Sequence, residues 1–264
     1  MQISDQAFST VADAFHKVSG IRLEASKRQM VIGRLQRLAG ERGLSNLDDY
    51  VNQVIRGGDK TELVRVIDRL TTNETYFFRE PAHFDHLTNI LAQRRPGPLF
   101  RVWSAASSSG EEAYSIAMLL ADKLGKTGWE VVGTDLSTTV VSAAQKALYP
   151  MDRARDTPPQ YLKRFCLKGQ GPYEGKLLID KGLRANVHFM QANLMQTLPD
   201  IGEFDVVFLR NVLIYFDQPS KLDIVKRVIP QIKKGGHLFT GHSESLHQIP
   251  PGLVHLQPAV YART

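Results

Sequence analysis

An α/β fold is predicted for this chain: a mostly parallel sheet flanked by helices, with a small antiparallel β-subdomain inserted and an all-helical domain in front. Three observations predict it. Up to about residue 70 the apolar residues recur at helical spacing and no strand pattern stands out. From Leu99 onward, short apolar runs of strand length alternate with helical patterns. Between Arg164 and Phe189 the alternation is broken by Gly169, Gly171, Pro172 and Gly175, with a short strand-like piece on either side.

The elements follow in order. Phe8, Val11, Ala12, Phe15 and Val18 fall at i, i+3, i+4 spacing and give a first helix one apolar face. Ser26 is the expected cap of a second helix ending at Gly40 or Gly43. Tyr50, Val51, Val54 and Ile55 mark a third helix, and Leu63, Val64, Ile67 and Leu70 a fourth. Residues 99–103 read as a buried strand, followed by a turn of small residues and a helix over 111–124. Residues 129–134 are a second strand, 137–147 a second helix of this domain, 187–190 a further strand and 204–209 a long apolar one. A helix over 219–232 and a strand over 237–240 complete the pattern, and the insert contributes strands over 164–167 and 176–179. Strands joined through helices of this length imply right-handed crossovers and therefore a parallel sheet. The expected domains are 1–72, all helical; 73–98, a linker and helix; and 99–264, the α/β domain, with its insert at about 160–185.

Composition sets outer limits. With 264 residues, 42% hydrophobic and 23% charged, the chain is an ordinary globular sequence. No apolar run approaches the roughly 20 residues of a membrane span, so no membrane insertion is expected. Met1-Gln2-Ile3-Ser4-Asp5 has neither the basic start nor the apolar core of a signal peptide. The one cysteine, Cys166, cannot form an internal disulfide, and no Cys/His cluster has zinc spacing, so no metal is expected and a reducing cytoplasm is the natural compartment. A net charge of +6 suggests an acidic partner, either nucleic acid or a carboxylate-rich protein surface.

The turn after the first strand, Ser104-Ala105-Ala106-Ser107-Ser108-Ser109-Gly110, is built of small residues and leads into Glu111 and Glu112 at a helix start. In open α/β sheets a ligand lies outside the carboxyl ends of the strands, at such turns. Neither G-x-G-x-x-G nor the P-loop pattern is present, and two glutamates would repel a pyrophosphate. A cationic or neutral ligand fits better, and S-adenosylmethionine carries a sulfonium, an ammonium and no phosphate. Asp135 ends the second strand, where an acid takes ribose hydroxyls in dinucleotide-type folds, and Asn193 follows the third strand, within reach of an adenine. Glu111 reads as a first-turn acid complementing the helix dipole, which leaves Glu112 as the better ligand candidate.

Four blocks carry a family resemblance: residues 71–80 (Thr71 to Glu80), 102–117 (Val102 to Ala117), 210–216 (Arg210 to Phe216) and 241–245 (Gly241 to Ser245). Together, in order and over nearly the whole chain, they resemble the chemotaxis receptor methyltransferases, the CheR type. The resemblance implies a Rossmann-like, S-adenosylmethionine-dependent methyltransferase domain, with an N-terminal helical domain and a small β-subdomain. It further implies that methyl groups are moved to glutamate carboxylates of chemoreceptors. Departures are small: Ser109 stands where Thr is expected and Ala113 where Pro is expected.

Carried over by position, the resemblance implies cofactor contacts at Asn73, Thr75, Arg79, Glu112, Asp135, Asn193, Leu194, Arg210 and Asn211, and catalytic roles for Arg79 and Tyr215. From the residues alone, Arg79 reads as an ion-pair partner of Glu80 or Glu112 and Tyr215 as core packing; the resemblance reverses both readings. His242 and Ser243 are read as structural. At about 100° per residue, Lys27, Arg34 and Arg37 form a basic stripe beside the apolar arc of Val31, Ile32, Leu35 and Leu38, with Arg28 off the stripe. This helix, Lys27 and Arg28 included, resembles the family's receptor-docking helix. The loop with Gly169, Gly171 and Gly175 resembles the β-subdomain loop of members that tether to a C-terminal receptor peptide. The expected partners are therefore the cytoplasmic domain of chemoreceptors and that tether peptide, with no nucleic acid and a monomeric enzyme. An RNA methyltransferase lacks support, because no aromatic-basic RNA-binding signature is present. A nicotinamide dehydrogenase is opposed by the missing glycine fingerprint.

Overall fold

Helical periodicity organises the first part of the chain into α1 (Asp5–Ser19), α2 (Arg28–Glu41), α3 (Leu47–Val51, continued by a π-helical turn over Asn52–Arg56) and α4 (Lys60–Leu70) in the computed structural model, which describes residues 1–95 and 97–264. With Tyr215–Ser220 these helices make one compact unit, Met1–Thr72; Asn73–Ile214 and Lys221–Thr264 make the other. Residues 73–98, apart from Pro96, thus pack within the second unit.

In the first unit Ser4 caps α1 by accepting from Ala7 N–H, and Gly20 ends it in the left-handed conformation. Ser26 does not cap α2. It lies inside a 3-10 turn, Ala25–Lys27, and α2 starts after Lys27 with no side-chain cap. Val11, Phe15, Val31, Leu35, Leu38, Tyr50, Val54 and Leu70 are buried together. The inward face of α4 is shifted from the expected one: Val66 is buried, whereas Val64 is 44% exposed and Leu63 only half-buried. Glu62 occupies the same inward face, which conceals it from a hydrophobic pattern; Tyr50 Oη donates to its Oε1 at 2.8 Å and Arg65 Nη1 to its Oε2 at 2.8 Å.

The second unit runs α5 (Pro81–Gln93), β1 (Phe100–Ala105), α6 (Glu111–Leu124), β2 (Trp129–Asp135), α7 (Thr138–Lys146), β3 (Leu148–Pro150), α8 (Pro159–Phe165), β4 (Cys166–Lys168), β5 (Lys176–Ile179), α9 (Lys181–Arg184), β6 (Val187–Gln191), β7 (Phe204–Leu209), α10 (Gln218–Val228, from Lys221 on), β8 (Ile232–Thr240), β9 (Leu253–Gln257) and β10 (Val260–Arg263). Among the described residues one sheet has the order β6-β2-β1-β7-β8-β10-β9 and a second the order β3-β5-β4. In the large sheet β6, β2, β1, β7 and β8 are parallel, with Val102 opposite both Val131 and Val206. β10 is antiparallel to β8 and β9. Buried on both faces, β1 and β7 are apolar almost throughout, as a central parallel strand must be. The chain leaves β1 toward β2 on one side and later returns to β7 on the other. The crevice at the carboxyl ends of β1 and β7 is therefore the topological switch point where such sheets bind ligands.

Several limits differ from the expected ones. Leu99 is exposed and outside β1. Helix α10 ends at Val228, where a 3-10 turn over Ile229–Gln231 with Pro230 follows, and β8 begins at Ile232. Arg164 belongs to the last turn of α8, and the insert is a three-stranded sheet because β3 pairs with β5. Strands this short carry too few alternations to be read from one sequence.

Candidate functional site at the carboxyl ends of the central strands

The turn from β1 into α6 is backbone under constraint. Ala106 and Ser108 have φ of 66° and 49°, and Gly110 has φ of 97°. A Cβ on Gly110 would lie 2.8 Å from Ala144 Cβ, so both conformation and space require glycine there. Among the described residues seven non-glycines have positive φ, and five of them (Phe78, Glu80, Ala106, Ser108 and Asn211) lie in three segments that are hydrogen-bonded to one another at this edge. Such conformations cost roughly 1–3 kcal/mol each and persist where surrounding contacts over-determine them.

The segment before α5 is fastened across this turn. Ser108 Oγ donates to Asn73 O at 3.0 Å, Arg153 Nη1 to Thr75 O at 2.5 Å, and Phe78 N–H to Ser115 Oγ at 2.9 Å. Asn73 and Thr75 are thereby brought over the β1–α6 turn. Arg79 Nη1 donates to Glu74 O at 3.0 Å, and its guanidinium lies over the Tyr76 ring. The ion-pair partner of Glu80 and Glu112 is a different arginine. Arg210, at the end of β7, places Nη2 3.0 Å from Glu80 Oε2 and Nη1 2.9 Å from Glu112 Oε2, with its side chain 1% exposed.

Glu112 also accepts from Ser104 Oγ at 2.7 Å. Burial raises its pKa above the ordinary carboxylate range, only partly offset by Arg210 and Ser104. Glu111 turns the other way: it is buried, accepts from Ser109 Oγ, faces Arg153, and is likewise raised by burial. Asp135 ends β2 with its carboxylate accepting from Ser108 N–H at 2.9 Å and Ser137 N–H at 3.0 Å. Asn193 follows β6 and accepts from Met195 N–H through Oδ1, and Leu194 beside it is buried. Asn211 Nδ2 donates to Glu80 Oε1 at 3.0 Å.

Two further acids belong to this site and were not singled out from the sequence. Glu244 accepts from Asn211, Ile214 and Gly241 N–H at 2.6, 3.0 and 2.8 Å, which holds the loop after β7 against the loop after β8. Glu80 joins Arg210, Asn211 and His242 N–H. Both acids lie inside the recognised blocks, so position was the available signal. Glu80, His83 and His242 bring three potential ligand atoms within 4.8 Å of one another. Arg210 already sits against the same Glu80 oxygen, and that positive charge opposes a metal ion.

The chemistry of this donor set is selective. The acids Glu112, half-buried, and Asp135, buried, suit an ammonium and ribose hydroxyls and disfavour phosphates. Ser107 Oγ, Arg210 Nε and Thr240 Oγ1 are buried at the same edge without a hydrogen-bond partner, so polar groups remain to be satisfied there. These residues fit S-adenosylmethionine.

Of the other expected site residues, Tyr215 closes a 3-10 turn, Leu213–Tyr215, and belongs to the first unit, as do Lys27, Arg28, Arg34 and Arg37. The basic stripe is only partly as expected. Arg34 donates to Leu70 O, Thr71 O and Thr72 Oγ1 at 2.7, 3.1 and 3.3 Å, so its guanidinium ties α2 to the end of α4. Arg28 donates to Ile3 O and pairs with Asp5. Lys27 and Arg37 are exposed, and Arg37 pairs with Glu41 one turn on. In the small sheet β4 is an edge strand with Leu167 55% exposed, and Tyr173 beyond it is 53% exposed. Gly169 is demanded locally, because a Cβ there would lie 1.9 Å from Tyr173 O. Gly171 and Gly175 have positive φ.

Known proteins resemble this chain over nearly its whole length. Residues 73–259 match the family model described as CheR methyltransferase, SAM binding domain, and residues 6–71 match the CheR methyltransferase all-alpha domain. The chain is 39% identical to a chemotaxis protein methyltransferase of Escherichia coli K12, over 99% of this chain and 92% of that protein. It is 38% identical to one from Salmonella typhimurium over 94% and 87% of the two chains, and 32% identical to one from Borreliella burgdorferi over 100% and 96%.

Proposed function

Because this chain belongs to the CheR methyltransferase family, we propose that its Glu112–Arg210–Asp135 edge holds S-adenosylmethionine for methyl esterification of chemoreceptor glutamates. The protein is an S-adenosylmethionine-dependent methyltransferase. The observation that supports the site best is a pair of acids, half-buried Glu112 held by Ser104 and Arg210, and buried Asp135 held by two backbone N–H groups. Glu112 and Arg210 take the amino-acid end of the cofactor, Asp135 the ribose, and Asn193 with Leu194 the base. Asn73, Thr75, Arg79 and Asn211 close over it.

When bound, the cofactor supplies a sulfonium methyl group: an O–C bond to a carboxylate oxygen forms as the S–C bond breaks, and the electron pair of the broken bond stays on sulfur. A glutamate side chain is already ionised at neutral pH, with an ordinary pKa of about 4.3, so no base is needed to remove a proton. The chain's task is alignment and exclusion of water. Arg79 and Tyr215 are the residues we assign to orienting the incoming carboxylate. The test is base-labile methyl ester formation on receptor by Arg79→Ala; full turnover by the folded variant would remove Arg79 from the reaction.

The receptor's cytoplasmic helices are acidic at the modified glutamates, and two exposed positive charges suit them, Lys27 just before α2 and Arg37 on it; Arg28 and Arg34 shape the same helix while bonded to carbonyls. The open edge of β4 suits an extended C-terminal receptor peptide added as a further strand, with Gly169, Gly171 and Gly175 keeping the adjoining loop tight. Such a tether raises the local enzyme concentration without touching the methylated residue. Calorimetry with receptor C-terminal peptides tests it: binding lost on Leu167→Lys supports the edge, and failure of every peptide leaves the insert structural.

A further inference from the structure

We infer that Glu80 is a positioning residue for the cofactor site, acting through Arg210 on Glu112; the inference rests on the cofactor reading above and adds a residue to it. Glu80 stands at the start of α5 with φ 59° and ψ 72°, directly before Pro81, and makes no cap to that helix. The backbone resists a left-handed glutamate before a proline, and the side chain makes no capping bond to the first N–H groups of its own helix. What the conformation achieves is to send the carboxylate across to the ends of β7 and β8.

There it is fully engaged. Oε2 lies 3.0 Å from Arg210 Nη2, and Oε1 accepts from Asn211 Nδ2 at 3.0 Å. His242 N–H donates to Oε2 at 3.3 Å, and His83 Nδ1 is 3.3 Å away on the buried side. Arg210 Nη2 also donates to Arg79 O, so the backbone that presents Glu80 and Arg79 closes on the same guanidinium. Arg210 then has one direction left for Nη1, toward Glu112 Oε2 at 2.9 Å. One buried guanidinium shared by two carboxylates sits where both hold it. Removing the charge at Glu80 lets Arg210 turn wholly toward Glu112, which neutralises the carboxylate intended for a cationic ligand. Proximity alone would make Glu80 a fold anchor. The shared guanidinium makes it more, because the two carboxylates compete for one partner.

Calorimetry with S-adenosylhomocysteine on the full chain tests this. Wild type binds, Glu80→Gln keeps an acceptor for Asn211 and the same volume, and its affinity is expected to fall at least about tenfold. Glu112→Gln is expected to bind as weakly or more so. The double variant Glu80→Gln/Glu112→Gln is expected to be no weaker than Glu112→Gln alone, because the two residues act along one path. Wild-type affinity in a folded Glu80→Gln, or losses that add in the double variant, would overturn the inference and leave the cofactor reading standing. Failure of the wild type to bind would overturn both. Should Glu80→Gln not fold, Glu80→Asp is measured instead: it keeps the charge but is one methylene short, and unchanged affinity there would equally overturn a role that depends on reach.

Discussion

Arg210 and Glu112 meet at 2.9 Å between the end of β7 and the start of α6, 98 positions apart in the chain, and neither is paired by any sequence rule. The guanidinium is fully enclosed, so removing it strands two carboxylates. Arg210→Met is expected to destabilise the second unit by about 3–5 kcal/mol, the cost of breaking a buried ion pair from one side. Urea unfolding followed by tryptophan fluorescence checks it, since Trp103 and Trp129 both lie in that unit. A loss below about 1 kcal/mol, the size of an exposed pair, would contradict the enclosure.

Glu112 makes cofactor affinity depend on pH. Burial raises its pKa above the ordinary carboxylate range, and only the ionised form pairs with an ammonium. Affinity is therefore complete above that raised pKa and declines as pH falls through it, starting at a higher pH than an exposed glutamate would give. S-adenosylhomocysteine titrations across the acid range should show this slope in the wild type and a flat profile in Glu112→Gln.

Asp135 holds two backbone N–H groups as well as its proposed ribose contact. Asp135→Ala is expected to weaken S-adenosylhomocysteine binding by about 1–3 kcal/mol and to lower the melting temperature, because Ser108 and Ser137 N–H lose their acceptor. Calorimetry and thermal melts separate the two effects. Unchanged affinity would dismiss Asp135 as a ligand.

Arg34 and Arg37 lie on one helix and should behave oppositely. Arg34→Ala removes a bond network to the end of α4 and is expected to cost about 1–2 kcal/mol of stability. Charge reversal at Lys27 and Arg37, both exposed, should leave stability alone, slow receptor methylation at low salt and flatten its salt dependence, as screened steering charges do. Equal rates in low salt would make the stripe an ordinary solvated face.

Tyr50 reads in the sequence as one apolar mark of a helix, yet its hydroxyl is the partner of buried Glu62. Tyr50→Phe is expected to cost about 1–3 kcal/mol by leaving that carboxylate short of a donor. Denaturant unfolding of the variant checks it, and a neutral outcome would place water at Glu62.

What the sequence determined by itself is whatever repeats or stands adjacent along the chain. Phe204–Leu209 and Glu111–Leu124 emerge with the limits read from their periods, because a buried strand and a sheet-covering helix must bury apolar side chains at fixed intervals. The turn from Ala106 to Gly110 was legible because close backbone approach admits only small residues. The blocks at 71–80 and 210–216 supplied candidate site residues only through the family resemblance. Only the tertiary structure decided which charges meet. Glu80 was placed beside Arg79 by adjacency, but a left-handed backbone sends it to Arg210, 130 positions on. Arg34 looked like part of an exposed stripe until the end of α4 arrived beneath it. Strand β3 became a strand only when β5 came to pair with it. Periodicity records which side of an element faces inward; the partner found there is set by how distant elements pack, and a single chain of letters does not carry that geometry.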